Sequence, residues 1–103
     1  MGKKLAPIPP GEILLEEFMR PVNLTQRQLA GDLDIPISRV SEIVHGKRAI
    51  TADTALRLAE YFGTGARFWL NLQSEYDLQV AEDTDWPKIK VRIRPLNLAE
   101  ATL

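Results

Sequence analysis

The sequence predicts an all-α fold of five helices, followed by a short C-terminal extended strand or arm. Apolar residues recur at helical spacing between residues 10 and 78, and capping residues, prolines and glycines divide this region into short segments. Apolar and basic residues then alternate strictly at 88–94. The chain has 103 residues, enough for one domain with one modest core. We expect a flexible N-terminus at 1–9, a helical domain at 10–80 and a C-terminal arm at 81–103.

The first helix is predicted to begin near Pro10 and to end near Arg20. Proline suits the first helical turn because its missing N–H is not needed there. Glu12 favours the positive end of the helix dipole. Pro21 cannot continue the helix. The apolar face of this helix contains Ile13, Leu14, Leu15 and Phe18.

The second helix has a strong start signal. Thr25 and Gln28 have the spacing of a capping box, in which each side chain bonds the backbone N–H of the other residue. Leu24 and Leu29 occupy the positions of a hydrophobic staple. The turn after this helix is predicted at Asp34, since aspartate tolerates the left-handed conformation better than most side chains.

The third helix is predicted over residues 36–44, with Val40 and Ile43 facing the core and Gly46 ending it. Its opposite face holds Ile37, Ser38, Arg39, Ser41, Glu42 and His45. This face is either the DNA-contacting surface of a helix-turn-helix unit or an ordinary solvated surface. Its small and polar first turn permits close approach to DNA. A capped helix before a tight turn is also the arrangement that leaves the second helix of such a unit prominent.

Amide and basic side chains flank the third helix. Gln26 lies in the first turn of the second helix, where free backbone N–H groups favour a phosphate. Lys47 and Arg48 lie in the loop after the third helix, and contacts from such a loop go mostly to phosphates. From the residues alone, a neutral helix start and a solvated basic loop are equally good interpretations.

Two further helices are predicted from their caps. Thr51 is expected to cap the fourth helix, which Gly63 ends. Thr64 is expected to cap the fifth helix, over residues 65–78. The fifth helix contains more large side chains than the core of a five-helix domain is expected to bury.

A dimer interface is predicted from these large side chains and from the end of the chain. Ile89, Val91 and Ile93 alternate with basic residues, and a period of two indicates a strand. A lone strand needs a partner, most simply the same strand of a second subunit. We assign Trp69 and Tyr76 to the same interface, and their burial within one subunit is the alternative.

The composition excludes several classes of function. No apolar run approaches the ~20 residues of a membrane span. Cysteine is absent, which excludes disulfides and thiolate metal sites, and His45 is the only histidine, so we predict no metal and no cofactor. A catalytic triad, a glycine-rich phosphate loop and a metal-ligand cluster are all missing, and no enzymatic activity is predicted. These features fit a cytoplasmic protein.

The charge distribution permits DNA binding despite a formal net charge of −1. Between Arg20 and Arg57 the sequence has six basic and four acidic residues. This small local excess predicts modest affinity for DNA per subunit, and we therefore expect the protein to bind DNA as a dimer.

The segment from Leu24 to Thr51 resembles the helix-turn-helix of the lambda-repressor/Cro-like (XRE) superfamily. Over about residues 10–78 the chain also resembles the HigA antitoxins, which are also called VapI-type addiction-module antidote proteins. The stretches that carry this resemblance are PPGEILLEEF, LTQRQLA, VSEIVHGKRAIT, ALRLAEYFGT and FWLNLQSEYDL. The last stretch is especially specific because it is not part of generic Cro-like domains.

The resemblance implies a lambda-repressor-like DNA-binding domain. It also implies a homodimer that binds a palindromic operator in double-stranded DNA, represses its own operon and neutralises a HigB-type toxin, a ribosome-dependent mRNA endonuclease. The positions that face DNA in the family correspond here to Gln26, Ile37, Ser38, Arg39, Glu42, Lys47 and Arg48.

This sequence departs from the family pattern at Pro36 and Ile37, where polar residues are common. Ile37 can contact a thymine methyl group. Glu42 can either accept from a cytosine amino group or pair with a nearby arginine. We expect base-edge contacts chiefly from Ser38 and Arg39.

Two other functions are compatible with the sequence. One is a stand-alone XRE-family transcriptional regulator without a toxin partner. The other, lower in rank, is a protein-interaction module whose helix-turn-helix no longer binds DNA, which the net charge of −1 leaves open. A co-transcribed neighbouring gene that encodes a small basic protein would favour the antitoxin.

Overall fold

The computed structural model describes residues 6–101, with side chains described up to Ala99, and within these residues it contains helices and no strand. Helix α1 begins as Pro10–Ile13 and continues as a π-helical segment, Leu14–Met19, and a 3₁₀ turn, Arg20–Val22. The other helices are α2 (Gln26–Leu33), α3 (Ile37–Val44), α4 (Ala52–Phe62), α5 (Ala66–Asp83), α6 (Trp86–Lys90) and α7 (Leu98–Ala101). The prediction of an all-α fold is confirmed. Residues 1–5 of the predicted flexible N-terminus lie outside the described residues.

The first five helices share one apolar core, in which α4 packs on α5 and α2 packs on α3. Its buried residues are Leu14, Met19, Leu29, Ala30, Leu33, Val40, Ile43, Ile50, Ala55, Leu58 and Trp69. Because these side chains come from α1 to α5 and from the loop before α4, the core fixes the relative positions of α2 and α3. Within the described residues, no helix combines the length and apolarity that crossing a bilayer requires.

Trp69 lies at the centre of an aromatic cluster and has no exposed surface. Its ring centroid is 4.8 Å from that of Phe18 and 6.2 Å from that of Phe62. The indole Nε1 donates to Thr64 Oγ1 at 2.8 Å. The assignment of Trp69 to a dimer interface is therefore wrong, because rings from α1 and α4 already surround this side chain within one chain.

The hydroxyl of Thr64 accepts a hydrogen bond from Trp69 and does not cap α5. Gly65 is the N-cap residue, and it has no side chain that could cap this helix. The prediction of a Thr64 cap is therefore wrong. Helix α5 also extends to Asp83, beyond the predicted end at residue 78.

Helices α1 and α3 approach so closely that a side chain has no room at their contact. Gly11 is buried. A Cβ atom on it would lie 1.7 Å from the carbonyl oxygen of Ile43 and 2.9 Å from Cα of Val44. Ile43 and Val44 form the end of α3, so this contact fixes α3 against α1. The loop after α3 is attached to α5, because the backbone N–H of Ile50 donates to Gln73 Oε1 at 2.7 Å.

The C-terminal arm does not form the predicted strand. Ile89 lies in α6, Val91 lies in the turn after it, and Ile93 begins a connection without regular secondary structure. Pro87 lies in the first turn of α6, where proline favours a helix start. The carbonyl of Asp85 accepts hydrogen bonds at 3.1 Å from the N–H groups of the third and fourth residues after it. This local helix start outweighs the alternation in the sequence, so the strand prediction is wrong here.

Candidate nucleic-acid interface

A complete capping box fixes the start of α2. Thr25 Oγ1 accepts from the backbone N–H of Gln28 at 3.0 Å, and Gln28 Oε1 accepts from the backbone N–H of Thr25 at 3.0 Å. Leu29 is fully buried and Leu24 packs against the core, as expected for a hydrophobic staple. Gln26, partly buried, is the first residue of α2. The capping prediction is confirmed, and it places Gln26 at the positive end of this helix.

A residue in the left-handed conformation makes the turn between α2 and α3. Asp34 has φ of 59°, which confirms the prediction. Arg57 of α4 reaches this turn, where its Nη1 donates to the carbonyl oxygens of Leu33 at 2.7 Å and of Asp34 at 3.2 Å. A cation therefore holds the turn at the negative end of the α2 dipole.

Helix α3 buries one side and exposes the other. Val40 and Ile43 are 1% and 2% exposed, whereas Ile37 is 44% exposed. Ser38 is also exposed. Pro36 is the N-cap residue, and its side chain makes no capping hydrogen bond. The N-terminal turn of α3 therefore offers one apolar side chain and one small hydroxyl group to a ligand outside the protein.

Arg39 does not extend freely from α3. Its Nη1 lies 3.5 Å from Asp53 Oδ2. The same carboxylate oxygen accepts from Arg57 Nε at 2.9 Å. Asp53 lies in the first turn of α4, where the helix dipole favours a carboxylate. Neither Asp53 nor Arg57 was predicted from the sequence as part of the site, and their spacing of four residues was the available signal.

The loop after α3 carries the second arginine of the candidate site. Arg48 Nε donates to Glu42 Oε1 at 2.7 Å. The backbone N–H of Lys47 donates to the carbonyl oxygen of Glu42 at 2.7 Å. Gly46, with φ of 73°, makes the left-handed turn that ends α3. Of the two interpretations of Glu42, the structure contains the pair with an arginine, while the Lys47 side chain is exposed.

An open cleft of about 240 Å³ lies between α3, the loop and the start of α4. The residues that line it are Arg39, Arg48, Ala49, Thr51, Asp53 and Thr54. Thr51 caps α4 as predicted, and its Oγ1 accepts from the backbone N–H of Thr54 at 3.4 Å. Two guanidinium groups and the N-terminus of α4 thus border the same cleft, and the carboxylate of Asp53 lines it as well.

The single histidine lies at the end of α3 and is exposed. His45 Nδ1 is 2.7 Å from the carbonyl oxygen of Ser41. Because a carbonyl oxygen only accepts, this contact requires a proton on Nδ1. Across the described residues, no group of three or more histidine, cysteine, aspartate or glutamate side chains is arranged to hold a metal ion.

The candidate dimer residues other than Trp69 are partly or largely exposed in one chain. Tyr76 is partly buried and lines a groove of about 340 Å³ between α5 and the N-terminal segment. In the C-terminal arm, Ile89, Val91 and Ile93 are 37%, 80% and 52% exposed. The arm contacts the domain chiefly through α5. The role of these four residues in dimerisation stays a prediction.

A capped helix, a left-handed turn and an exposed second helix with arginines beside it define a helix-turn-helix protein. A family model described as helix-turn-helix matches residues 15–69. Virulence-associated protein I of Dichelobacter nodosus is 54% identical over 82 residues, which are 79% of this chain and 76% of that protein.

Solved structures extend the similarity beyond the helix-turn-helix. Antitoxin HigA of Pseudomonas aeruginosa, solved with the higBA promoter, matches with a TM-score of 0.85 and 44% identity, over 88% of this chain and 99% of that chain. An addiction module antidote protein of the HigA family from Coxiella burnetii matches with a TM-score of 0.84 and 49% identity, over 89% and 100%. The chain belongs to the HigA-type antitoxins of the helix-turn-helix family. This family is not a class of enzymes.

Proposed function

We propose that this chain is a cytoplasmic, non-enzymatic antitoxin that binds a palindromic operator as a homodimer, represses its own operon and neutralises a HigB-type toxin that cleaves mRNA. The observation that carries this proposal is the exposed start of α3, at Ile37 and Ser38, beside a cleft with two arginines. The Pseudomonas aeruginosa relative with the same fold was solved with promoter DNA. In the dimer, the two copies of α3 occupy major grooves about one helical turn (~34 Å) apart, and repression follows from occlusion of the promoter.

Base contacts come from the N-terminal half of α3. Arg39 can donate two parallel hydrogen bonds to the O6 and N7 atoms of a guanine. Ser38 is small enough to allow this approach and can itself bond a base edge. Ile37, which is 44% exposed, contacts the methyl group of a thymine.

Phosphate contacts come from residues on both sides of α3. Gln26 lies at the positive end of α2, where backbone N–H groups favour a phosphate. Lys47 and Arg48 extend from the loop after α3, where contacts set the position on the duplex and carry no base information. Glu42 orients Arg48 through their 2.7 Å contact and does not contact a base.

The C-terminal arm and the groove at Tyr76 provide the dimer interface. Ile89, Val91 and Ile93 are apolar and substantially exposed in one chain, so a second chain can bury them. A domain without a stable partner would leave these side chains in water. We therefore assign dimer contacts to these three residues and Tyr76.

Binding of wild-type protein and two variants to DNA tests this function. Arg39→Ala should weaken binding to the promoter duplex by ~1–3 kcal/mol, with little change on random DNA, because a base contact is lost. Lys47→Ala is the control, since loss of a phosphate contact should weaken binding to both duplexes equally and reduce the salt slope by about 1. Fluorescence anisotropy over a range of salt concentrations measures both effects. An equal loss on the two duplexes for Arg39→Ala would reject the base contact.

A second experiment separates the antitoxin from the alternatives. The chain is co-expressed with the product of the neighbouring gene, and growth is followed. Relief of growth arrest by the intact chain supports the antitoxin. Promoter binding without relief indicates a stand-alone regulator, and relief without promoter binding indicates an interaction module.

A further inference from the structure

We propose that Asp53 is a positioning residue that increases discrimination between operator and random DNA by holding the guanidinium group of Arg39. This inference rests on the proposed function, because it assigns Asp53 a part in DNA recognition. Asp53 lies on α4, outside the two helices of the helix-turn-helix, and it acts through Arg39 rather than on DNA.

The carboxylate of Asp53 is held in place independently of Arg39. Its Oδ2 accepts from Arg57 Nε at 2.9 Å, and Arg57 Nη1 donates at 2.7 Å to the carbonyl oxygen of Leu33. A second, longer bond of 3.2 Å joins Nη1 to the carbonyl oxygen of Asp34. Asp53 is therefore connected through one side chain to the main chain of the turn that sets the angle between α2 and α3.

Arg39, on α3, lines the same cleft and contacts this carboxylate. The distance from Nη1 to Oδ2 is 3.5 Å, and the Arg39 side chain is 33% exposed. A guanidinium group has five N–H donors in a rigid plane, so contact with Asp53 on one side leaves other donors for a base edge. Asp53 thereby limits the orientations that the guanidinium group of Arg39 adopts before DNA binds.

The same contact disfavours binding to random DNA. On random sequences a free arginine at this position would bond the nearest phosphate, which carries no base information. With Asp53 present, a phosphate that bonds Arg39 must lie close to a carboxylate that is 59% exposed, and the two negative charges repel each other. At the operator, a guanine that receives Arg39 in its held orientation brings no additional negative charge beside Asp53. Discrimination rises because random binding becomes weaker and operator binding begins from an ordered side chain.

A double-mutant cycle tests this coupling. Wild type, Asp53→Asn, Arg39→Ala and the double variant are titrated with a duplex from the chain's own promoter region and with a random duplex of equal length. Asp53→Asn should lower the operator-to-random affinity ratio by about two- to fivefold, the range of an exposed ion pair. In the Arg39→Ala background, the same substitution should leave the ratio unchanged. Asp53→Glu retains the charge and should therefore lower the operator-to-random affinity ratio less than Asp53→Asn does.

Glu60→Gln is the matched control, because it removes the same charge from α4 about two turns further along the helix. It should leave the operator-to-random ratio unchanged. The inference is overturned if Glu60→Gln lowers the ratio as much as Asp53→Asn does, since general electrostatics would then suffice. It is also overturned if Asp53→Asn has no effect, or has an equal effect with and without Arg39. If the wild type binds both duplexes equally well, the proposed function itself is overturned. If the wild type prefers the operator but the effects of Asp53→Asn and Arg39→Ala on the affinity ratio are additive, only the role of Asp53 is rejected.

Discussion

Substitution of Gly11 by alanine should separate α1 from α3 and destabilise the domain. The added Cβ would lie 1.7 Å from the Ile43 carbonyl oxygen, where ordinary contact begins at 3.4 Å. Both the new atom and this oxygen are attached to helical main chain, so no side-chain rotation relieves the overlap. Overpacking of this kind costs ~1–3 kcal/mol, and the better helix propensity of alanine offsets at most ~1 kcal/mol. We expect a net loss of about 2 kcal/mol and a fall in Tm of about 8–16 °C.

The same substitution at Gly31 is the control. Gly31 lies within α2, is exposed, and has nothing within 4 Å of the position of an added Cβ. Gly31→Ala should therefore stabilise the protein by ~0.5–1 kcal/mol through helix propensity alone. Thermal denaturation followed by circular dichroism measures both variants. A Gly11→Ala protein as stable as the wild type, or a Gly31→Ala protein with a similarly large loss, would refute the packing argument.

Three further predictions concern the core, the C-terminal arm and a tyrosine. Trp69→Phe should lower the free energy of unfolding, measured by chemical denaturation, by about 2 kcal/mol, because the hydrogen bond to Thr64 is lost and the smaller ring leaves a cavity. The oligomeric state should not change. Truncation after Trp86 should yield monomers in sedimentation if the arm holds the dimer, and an unchanged dimer would reject that role. Tyr61 Oη donates to Asp32 Oδ2 at 2.7 Å, and this bond, with burial and the Asp32 charge, raises the pKa of Tyr61 above its ordinary value of 10.0. The raised folded-state pKa means that this stabilisation is present below about pH 10 and is lost as pH rises through the folded-state pKa. Tyr61→Phe should remove this contribution to the pH dependence of the free energy of unfolding at alkaline pH.

The parts of the interface that depend on neighbouring residues were predictable from the sequence. The capping box of Thr25 and Gln28, the left-handed turn at Asp34 and the end of α3 at Gly46 all follow from short-range hydrogen bonds and backbone conformations. Interactions of this range depend on residue type and spacing within a few positions. The exposed face of α3 followed from helical periodicity in the same way.

Misleading local patterns account for the errors. Alternation at 88–94 indicated a strand, but Pro87 and the carbonyl of Asp85 begin a helix at the same place. Thr64 precedes α5 at a plausible capping distance, yet its hydroxyl bonds the indole of Trp69. In both cases the local sequence is compatible with two arrangements, and neither periodicity nor cap preference alone decides between them.

The helix-turn-helix itself was determined by the sequence of the stretch from Leu24 to Thr51, because its caps and turns bond residues that are close along the chain. Tertiary structure alone decided how Arg39 is held, since Asp53 and Arg57 reach it and the α2–α3 turn from another helix. It also decided that Trp69 belongs to the core, because rings from α1 and α4 enclose it. Contacts between residues far apart in the chain depend on the packing of whole helices, which no local pattern specifies.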